Sequence, residues 1–283
     1  MIASSPTALA GRVALVTGAS KGGIGRAIAR RLAAHGARIV ITASGRTTGG
    51  LDKTVDLIAA AGGTAVAITA NLADPAARAD LIGRASVHFG PPDILVNNAA
   101  IGGGIEPPSS VALALRHDIM EVNLQAPIDL IQQALPAMRE KGWGRILNIT
   151  SKTAEQPALP YKLSPKFIHG LAFYGASKAA LDRYTLGLAA ELHASGIHVN
   201  AMAPHQIAVT EGAEALARSP KTHPADLEPL EMMAEAAFVL IAGAFTGQIV
   251  TSRQIVGIAQ QPLHSLDGRT PIGDAGSLFR FGP

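Results

Sequence analysis

The chain has 283 residues, of which 48% are hydrophobic, and a formal net charge of +3. The hydrophobic fraction is ample for a large core, and the absence of cysteine excludes disulfides, thiol catalysis and cysteine-ligated metals. The basic residues are dispersed and no apolar stretch reaches the roughly 18 residues of a membrane span, so nucleic acid and membrane are poor candidates for partners.

Strand-like and helix-like segments alternate along the chain. The predicted strands are Arg12–Thr17, Arg38–Ala43, Ala65–Thr69, Asp93–Asn97, Arg145–Thr150 and Ile197–Ala201. The predicted helices are Arg26–His35, Leu51–Ala61, Pro75–Phe89, Val111–Lys141 and Ala172–Ala194. Loops are predicted at Gly102–Ser110 and Glu155–His169.

Repeated βα units with nearly continuous apolar strands predict a parallel sheet with helices on both faces. Right-handed crossovers then give a doubly wound, Rossmann-like α/β fold whose ligands bind at the carboxyl ends of the strands. We expect a single dinucleotide-binding domain over residues 1–283, with an N-terminal extension at 1–10 and an irregular C-terminal tail at 260–283; two small domains are the alternative.

The first predicted strand runs directly into the glycine-rich turn Gly18-Ala-Ser-Lys-Gly-Gly-Ile-Gly25 and then into a helix. This order is typical of a dinucleotide loop, in which glycines let the backbone approach a diphosphate at the N-terminus of the helix. A plain βα turn is the alternative. The loop is one glycine longer than the common Thr-Gly-x-x-x-Gly-x-Gly pattern, and either Gly22 or Gly23 can be counted as the extra residue.

Tyr174 and Lys178 are four residues apart in the predicted helix Ala172–Ala194, which places them on one face. An ammonium beside a phenol stabilises the phenolate, so we expect the pKa of Tyr174 to fall below its usual value and the side chain to transfer protons near neutral pH. The alternative is a surface lysine beside a half-buried tyrosine.

In these features the chain resembles the short-chain dehydrogenase/reductases over about residues 11–248. The matching features, in order, are Thr17-Gly18 with the glycine loop, Asn97-Asn98-Ala99-Ala100, Asn123, Ser151, Tyr174 with Lys178, and Val199-Asn200-Ala201-Met202-Ala203-Pro204. The resemblance implies an enzyme that uses NAD or NADP to interconvert alcohols and carbonyls.

The resemblance also implies a role for each catalytic residue. Tyr174 would be the general acid/base, Lys178 would lower its pKa and hold the nicotinamide ribose, and Ser151 would bind the substrate oxygen. Asn123 would fix a helix bend and a water of the proton relay, and Asn97 would support the cofactor and the sheet centre. Ser151 could instead be an ordinary hydroxyl at a strand end, and Asn123 could simply cap or bend a helix.

Cofactor contacts are implied for a larger set of residues. They are Gly18, Ser20, Lys21, Gly23, Ile24, Gly25, Arg46, Asn71, Leu72, Asn97, Ala99, Tyr174, Lys178, Pro204 and Ile207. No acid stands in Thr42–Arg46, where NAD-preferring members carry one for the ribose diol. Because Lys21 and Arg46 suit a 2′-phosphate, we expect NADP rather than NAD. Both could also be ordinary solvated charges.

Four features depart from the family pattern. The segment Glu155–His169 lengthens the spacing between Ser151 and Tyr174; it either shapes the substrate pocket or is a tolerated surface loop. His205 replaces the usual glycine, and either contacts substrate or cofactor or is solvated. Asn71 stands in place of an adenine-contacting aspartate, and the usual Asp-Gly-Gly after Gln248 is missing.

The leading hypothesis is an NADP-dependent carbonyl reductase or secondary-alcohol dehydrogenase. The alternatives are a 3-oxoacyl-thioester reductase of the fatty-acid type and a non-catalytic nucleotide-binding regulator. We expect a small-molecule substrate, a homo-tetramer or homo-dimer and no metal site. The N-terminus shows no basic segment ahead of an apolar one, so we expect a cytoplasmic protein.

Overall fold

Short apolar runs form seven parallel strands at the centre of the molecule. The computed structural model describes residues 7–158, 160, 165–211, 218 and 222–273. The central strands are β1 Val13–Thr17, β2 Arg38–Ala43, β3 Thr64–Thr69, β4 Ile94–Asn97, β5 Gly144–Ile149, β6 Ile197–Ala203 and β9 Ile249–Thr251. The sheet order is β3-β2-β1-β4-β5-β6-β9. The six predicted strands are confirmed, each within two residues at either end.

The order of the strands reverses at the centre of the sheet. From β1, the chain crosses to β2 and β3 on one side and returns to β4, β5 and β6 on the other. β1 therefore pairs with both β2 and β4, with Val16 opposite Ile41 on one side and Val96 on the other. The connections that follow β1 and β4 thus lead away to opposite sides of the sheet, which leaves a crevice at the carboxyl ends of these two strands.

Helices cover both faces of the sheet. They are α1 Ile24–Ala34, α2 Gly50–Ala60, α3 Pro75–Arg78, α4 Leu81–Phe89, α5 Leu113–Met120, α6 Ala126–Lys141, α7 Pro165–Gly170, α8 Ala172–Glu191, α9 Leu230–Ala242 and α10 Ser252–Ala259. Successive residues of a strand point to opposite faces, so Ala14 and Val16 join the core under α1 and α9 while Val13 and Leu15 join the core under α4, α6 and α8. This is the doubly wound, Rossmann-like arrangement predicted from the sequence.

The predicted helix Val111–Lys141 is wrong as a single element, because a π-helical turn, Glu121–Gln125, separates α5 from α6. Pro127 has no N–H to donate to the carbonyl of Asn123, so the regular helical bond is lost at this point. The predicted helix Pro75–Phe89 is also divided, into α3 and α4. At the break, the buried Arg78 side chain bonds Glu121 and Asp129, both 2.6 Å away, partners that local sequence does not reveal.

Several further elements differ from the sequence expectation. The predicted loop Glu155–His169 ends in α7, and proline is a favoured first residue of a helix. Part of that loop, together with residues 1–6 of the N-terminal extension, lies outside the described residues. Five further elements were not predicted: helices α9 and α10, strand β9, and the short parallel pair β7 Ile207–Ala208 and β8 Leu227–Glu228. No helix in the described ranges is long and apolar enough to cross a bilayer.

The C-terminal tail is not wholly irregular. Strands β10 Leu263–His264 and β11 Pro271–Gly273 pair antiparallel, while residues 274–283 lie beyond the described part. A buried ion pair underlies the hairpin: Arg31 of α1 contacts Glu235 of α9 at 2.6 Å, with both side chains at most 2% exposed. His264 of the hairpin lies 3.3 Å from the same guanidinium. These contacts explain why the tail folds back onto the helices.

Helix α8 lies directly against the 3₁₀ turn Lys152–Ala154 that follows β5. A Cβ atom at Gly175 would overlap the carbonyl oxygen of Thr153, so only glycine permits this approach. Tyr174 immediately precedes this contact in α8, and Ser151 is the N-cap of the turn. The absence of a side chain at 175 therefore brings the two residues together.

We expect Gly175→Ala to destabilise the protein by about 1–3 kcal/mol, because overlap with a backbone atom forces α8 away from the turn. It should also reduce any activity that depends on Tyr174. The matched control is Gly83→Ala in α4, where a Cβ would meet nothing within 4 Å; there alanine should stabilise the helix by up to about 1 kcal/mol. Thermal unfolding of both variants measures the difference. A Gly175→Ala protein as stable as its Gly83→Ala counterpart would contradict the packing argument.

Candidate active site

A cleft of about 370 Å³ lies at the carboxyl ends of β1 and β4. The turn after β1 forms one wall, and the loops after β2, β3 and β4 form the others. Its lining residues are Gly18, Ser20, Lys21, Gly22, Gly23, Ile24, Ala43, Ser44, Arg46, Ala70, Asn71, Leu72, Asn98, Ala99, Ala100, Ile101, Val122, Thr210 and Glu211. The cleft therefore occupies the position at which a doubly wound sheet binds dinucleotides.

Thr17 and Asn98 hold the two sides of the cleft together. Thr17 Oγ1 accepts from the backbone N–H groups of Asn98 and Ala99, both at 3.0 Å. Asn98 Nδ2 donates to the carbonyl oxygens of Thr17 and Gly18 at 2.8 and 3.1 Å. Both residues belong to motifs that the sequence shows, but neither was predicted to have a role of its own.

The side chain of Arg26 fixes the glycine-rich turn from behind. Its Nη2 atom donates to the carbonyl oxygens of Ser20 and Gly50 at 2.6 and 3.1 Å, and its Nε donates to Thr54 Oγ1 at 2.8 Å. Arg26 is only 8% exposed. Arg26 therefore holds the turn against α2 in the ligand-free protein.

Most of the residues predicted to contact a cofactor line this cleft. They are Gly18, Ser20, Lys21, Gly23, Ile24, Arg46, Asn71, Leu72 and Ala99. Gly25, Pro204 and Ile207 are not part of its lining, and neither are Tyr174 and Lys178. Pro204 and Ile207 follow β6, at the same edge of the sheet.

Asn97 also lies outside the lining, because the next residue, Asn98, takes the position facing the cleft. Its buried side chain instead donates to Asn148 Oδ1 at 2.9 Å, and Asn148 donates to Thr185 of α8. The contact that the structure shows for Asn97 is thus with the sheet centre.

The charges around the cleft are mixed. Lys21 and Arg46 are exposed at its rim, beside Ser44 at the end of β2. Glu211 is the acidic residue of the lining, and it follows β7, well away from β2 in the sequence. The end of β2 therefore presents cationic and hydroxyl groups, which suit a phosphate better than a ribose diol.

Ser151 and Tyr174 are hydrogen-bonded to each other at the end of β5. Ser151 Oγ accepts from the backbone N–H of Thr153 at 3.2 Å and from its hydroxyl at 2.9 Å. Burial raises the pKa of the Tyr174 phenol, and the hydrogen bond with Ser151 acts in the opposite direction. The packing of α8 thus brings together two residues that are separated by 22 others in the sequence.

Lys178 lies one turn further along α8 and is 2% exposed. Its Nζ donates to the carbonyl oxygen of Ile149 at 2.9 Å and lies 5.7 Å from the ring centroid of Tyr174. Burial lowers the pKa of Lys178 to about 8, and the negative charge of Asp182 acts in the opposite direction. The ammonium is thus held beside the phenol by the end of β5.

The sequence expectation that the pKa of Tyr174 falls is wrong for this structure. Burial of the phenol is the largest influence on that pKa and raises it, since a phenolate loses more hydration than a neutral phenol does. Lys178 is not among the causes of the shift. A protonated Tyr174 at neutral pH is the consequence.

Asn123 joins the loop after β4 to α8. The side chain lies fully buried in the π-helical turn, where Oδ1 accepts from Ile101 N–H at 2.8 Å. Its Nδ2 donates to Ile101 O and to Ser177 Oγ, both at 3.0 Å. Ser177 Oγ in turn donates to the carbonyl oxygen of Tyr174 at 2.7 Å. Asn123 therefore connects one wall of the cleft to the backbone of Tyr174.

His205 is half-buried and bonded rather than solvated. Its Nδ1 lies 3.1 Å from Thr251 Oγ1, and its backbone N–H donates to Glu228 and Ser252. Glu228 is fully buried and also accepts from the N–H of Gln206. Burial lowers the pKa of His205, so the imidazole is neutral at physiological pH. The structure gives it a role in fixing the loop after β6.

Comparison with known proteins agrees with this geometry. A sequence model of the family described as short chain dehydrogenase matches residues 12–220. The chain is 33% identical over 193 residues to the D-beta-hydroxybutyrate dehydrogenase of Rhizobium meliloti, covering 68% of this chain and 70% of that protein. It is 35% identical over 198 residues to the 3-oxoacyl-[acyl-carrier-protein] reductase FabG of Escherichia coli, covering 69% and 72%.

A solved structure shares the fold as well as the sequence pattern. The 3-oxoacyl (acyl-carrier-protein) reductase of Agrobacterium tumefaciens C58, crystallised with NADP bound, is 30% identical and superimposes with a TM-score of 0.75. The superposition covers 86% of this chain and 93% of the other. The chain therefore belongs to the short-chain dehydrogenase/reductase family of NAD(P)-dependent oxidoreductases.

Proposed function

We propose that this protein transfers a hydride between NADP(H) and a carbonyl or secondary-alcohol substrate, with Tyr174 as the general acid/base. The observation that carries the proposal is the hydrogen-bonded pair of Ser151 and Tyr174, with the buried ammonium of Lys178 beside it. The pair lies at the carboxyl edge of the sheet, next to the dinucleotide cleft.

Hydride addition to a carbonyl develops negative charge on its oxygen, which needs a proton donor and a second hydrogen bond. The nicotinamide ring of NADPH supplies that hydride when bound. Ser151 Oγ accepts two bonds from Thr153, so its own proton, directed at Tyr174 in the ligand-free protein, would turn to the substrate oxygen. Tyr174, protonated because burial raises its pKa, delivers the proton to the same oxygen. Oxidation of the alcohol runs these transfers in reverse.

Lys178 and Asn123 position the proton donor in this proposal. The ammonium is held by the carbonyl of Ile149, which fixes it beside the phenol and leaves donors for a ribose hydroxyl. Asn123 fixes the backbone of Tyr174 through Ser177, and the same bond holds the π-helical turn against α8. A water that extends the proton relay stays a prediction.

The cleft supports NADP rather than NAD. Lys21, Ser44 and Arg46 lie at its rim, and no carboxylate stands in residues 44–49 between β2 and α2. Lys21 and Arg46 would hold the 2′-phosphate, and the N–H groups at the start of α1 would hold the diphosphate. The similar Agrobacterium reductase was crystallised with NADP, which agrees with this assignment.

A second candidate function is reduction of 3-oxoacyl thioesters, which the similarity to two 3-oxoacyl-(acyl-carrier-protein) reductases supports. Helix α7, in the segment 155–169, bears on which of the two substrate classes the protein takes. A Cβ at Gly170, which ends α7, would overlap Ile105 of the loop after β4, so the two segments pack closely near Tyr174. We propose that α7 and the loop after β4 form one wall of the substrate pocket. A non-catalytic regulator is disfavoured, because such a protein has no need for the bonded set of Asn123, Ser151, Tyr174 and Lys178.

The homo-dimer or homo-tetramer stays a prediction. A shallow groove between α6 and α8, lined partly by Leu124, Ile128, Tyr184 and Leu188, is a surface on which helix pairs of two copies could pack.

Replacing Tyr174 by phenylalanine should lower kcat by about 10²- to 10⁴-fold, because the proton donor is removed. NADPH binding should persist, since the ring still packs. NADPH oxidation followed optically, with ketones, acyl thioesters and quinones as substrates, measures turnover; NADPH fluorescence measures binding. Tyr184→Phe, ten residues further along α8, is the control and should retain turnover. A Tyr174→Phe enzyme as fast as the parent would show that the proton comes from elsewhere.

Removing the cations of the cleft rim should change cofactor preference. We expect Arg46→Ala and Lys21→Ala each to weaken NADPH binding by about 5- to 30-fold and to leave NADH binding nearly unchanged, because each loses a charged contact to the 2′-phosphate. Titration calorimetry with both cofactors gives the dissociation constants. Lys53→Ala, an exposed cation of α2 that does not line the cleft, is the matched control. Equal losses for NADPH and NADH would contradict the assignment.

The activity should fall on the alkaline side. Lys178 is charged below its pKa of about 8 and neutral above it, so kcat/KM for NADPH should decrease as pH rises through this value. Asp182, whose own pKa is raised to about 6, chiefly by burial and further by Glu155, is ionised at that pH and favours the charged lysine. Asp182→Asn should therefore move the alkaline limb to lower pH.

The control for this profile is Asp56→Asn, which removes an exposed carboxylate of α2 and should leave the limb in place. If the pH profile is identical in the parent and in Asp182→Asn, the alkaline decrease in kcat/KM does not come from titration of Lys178.

A further inference from the structure

Glu211 lies on the glycine-rich turn at the site where we place the cofactor diphosphate. It follows β7 and lines the cleft together with Thr210. Its backbone N–H donates to the carbonyl oxygen of Gly22 at 3.1 Å. The segment after β7 is therefore bonded directly to the middle of the turn.

The side chain of Glu211 covers the same turn. A Cβ atom at position 22 would lie 2.5 Å from Glu211 Oε1 and within 3.2 Å of the adjoining carbon atoms. Glycine at 22 therefore makes room for the carboxylate. Gly22 is one of the two glycines that can be counted as the single extra residue of the turn, and its missing side chain leaves the space that the Glu211 carboxylate fills.

The carboxylate lies in an electrostatically favourable place in the ligand-free protein. It is 4.0 Å from Arg26 Nη1, with its side chain half exposed. Helix α1 begins next to it, and its N-cap Gly23 offers no side-chain acceptor to the free N–H groups of the first turn. A negative charge beside those groups stabilises the helix start by a few tenths to about 1 kcal/mol.

A bound dinucleotide would bring its diphosphate to the same N–H groups. Two anions would then compete for one helix start, with Arg26 already committed to Ser20, Gly50 and Thr54. Lys21 and Arg46, the other cations of the cleft, are assigned to the 2′-phosphate in the proposed function. Arg26 Nη1, 4.0 Å from Glu211, is then the cation that Glu211 and a diphosphate would share, and a single charge does not neutralise both anions.

We infer that Glu211 acts as a built-in anion that occupies the diphosphate site of the empty protein, must move aside when NADP(H) binds, and so sets cofactor affinity. This inference rests on the proposed function, since it requires a diphosphate ligand in the cleft. It makes Glu211 an affinity-determining residue of the cofactor site and gives it no part in proton or hydride transfer.

The test is Glu211→Gln, which keeps the shape of the side chain and removes its charge. Titration calorimetry should give an NADP⁺ dissociation constant at least about fivefold lower than that of the parent, because like-charge repulsion is relieved. Adenosine 2′-monophosphate, which lacks the diphosphate, should bind both proteins equally. The ligand-free variant should melt about 1–2 °C lower, since the start of α1 loses its anion. Glu140→Gln, an exposed acid of α6, controls for net charge and should change none of these values.

Each outcome separates this inference from the proposed function. A parent protein that binds neither NADP⁺ nor NADPH defeats the proposed function itself. A parent that binds NADP⁺ and turns over, combined with a Glu211→Gln variant that binds NADP⁺ no tighter, overturns only the inference. Weaker binding by the variant would also overturn it, and would assign Glu211 to holding the turn in its binding shape. An equal gain for adenosine 2′-monophosphate would show that the effect is a general field and not competition at the diphosphate.

Discussion

The close contact between α8 and the turn that follows β5 governs the arrangement of this site. Gly175 has no side chain, so the backbone of α8 meets the carbonyl of Thr153 directly. That single approach brings the phenol of Tyr174 to Ser151. Lys178, one turn further along α8 and 2% exposed, bonds the last carbonyl of β5. Burial then shifts both pKa values toward the neutral forms, upward for the tyrosine and downward for the lysine.

A second set of contacts holds the cofactor side of the molecule. Thr17 and Asn98 bind the ends of β1 and β4 to each other, and Asn123 binds the loop after β4 to α8. Hydrogen bonds therefore run from the glycine-rich turn to the backbone of Tyr174. The cleft and the pair of Ser151 and Tyr174 are parts of one bonded framework, which would suit the proposed reaction, in which hydride and proton must reach adjacent atoms.

The sequence predicted the local features well and the tertiary ones poorly. The strands are short β-branched runs, and the spacing of Tyr174 and Lys178 is a property of one helix, so both were readable. Helix α9 was not predicted because it is buried on all sides and has no polar face that would reveal the helical spacing of its apolar residues. The break after Gln125 follows from Pro127 but also from the bond between Asn123 and a loop 22 residues away.

The site shows the same division. Asn97 was expected to support the cofactor and the sheet centre; the structure shows its contact with the sheet centre, while its neighbour Asn98 lines the cleft, because register decides which side chain of a strand end faces it. The direction of the Tyr174 pKa shift depends on burial, which a helical spacing does not reveal. Glu211 gave no local signal at all, since its importance comes from meeting Gly22 across the fold.

The ion pair between Arg31 and Glu235 constrains how this chain can diverge. Both groups are out of contact with water, so losing either one alone should leave a charge unpaired in the interior at a cost of several kcal/mol, whereas exchanging both for apolar residues should cost much less. A substitution of only one member of the pair is therefore strongly disfavoured. Relatives that retain the C-terminal hairpin over these helices should carry the arginine and the glutamate together or neither of them.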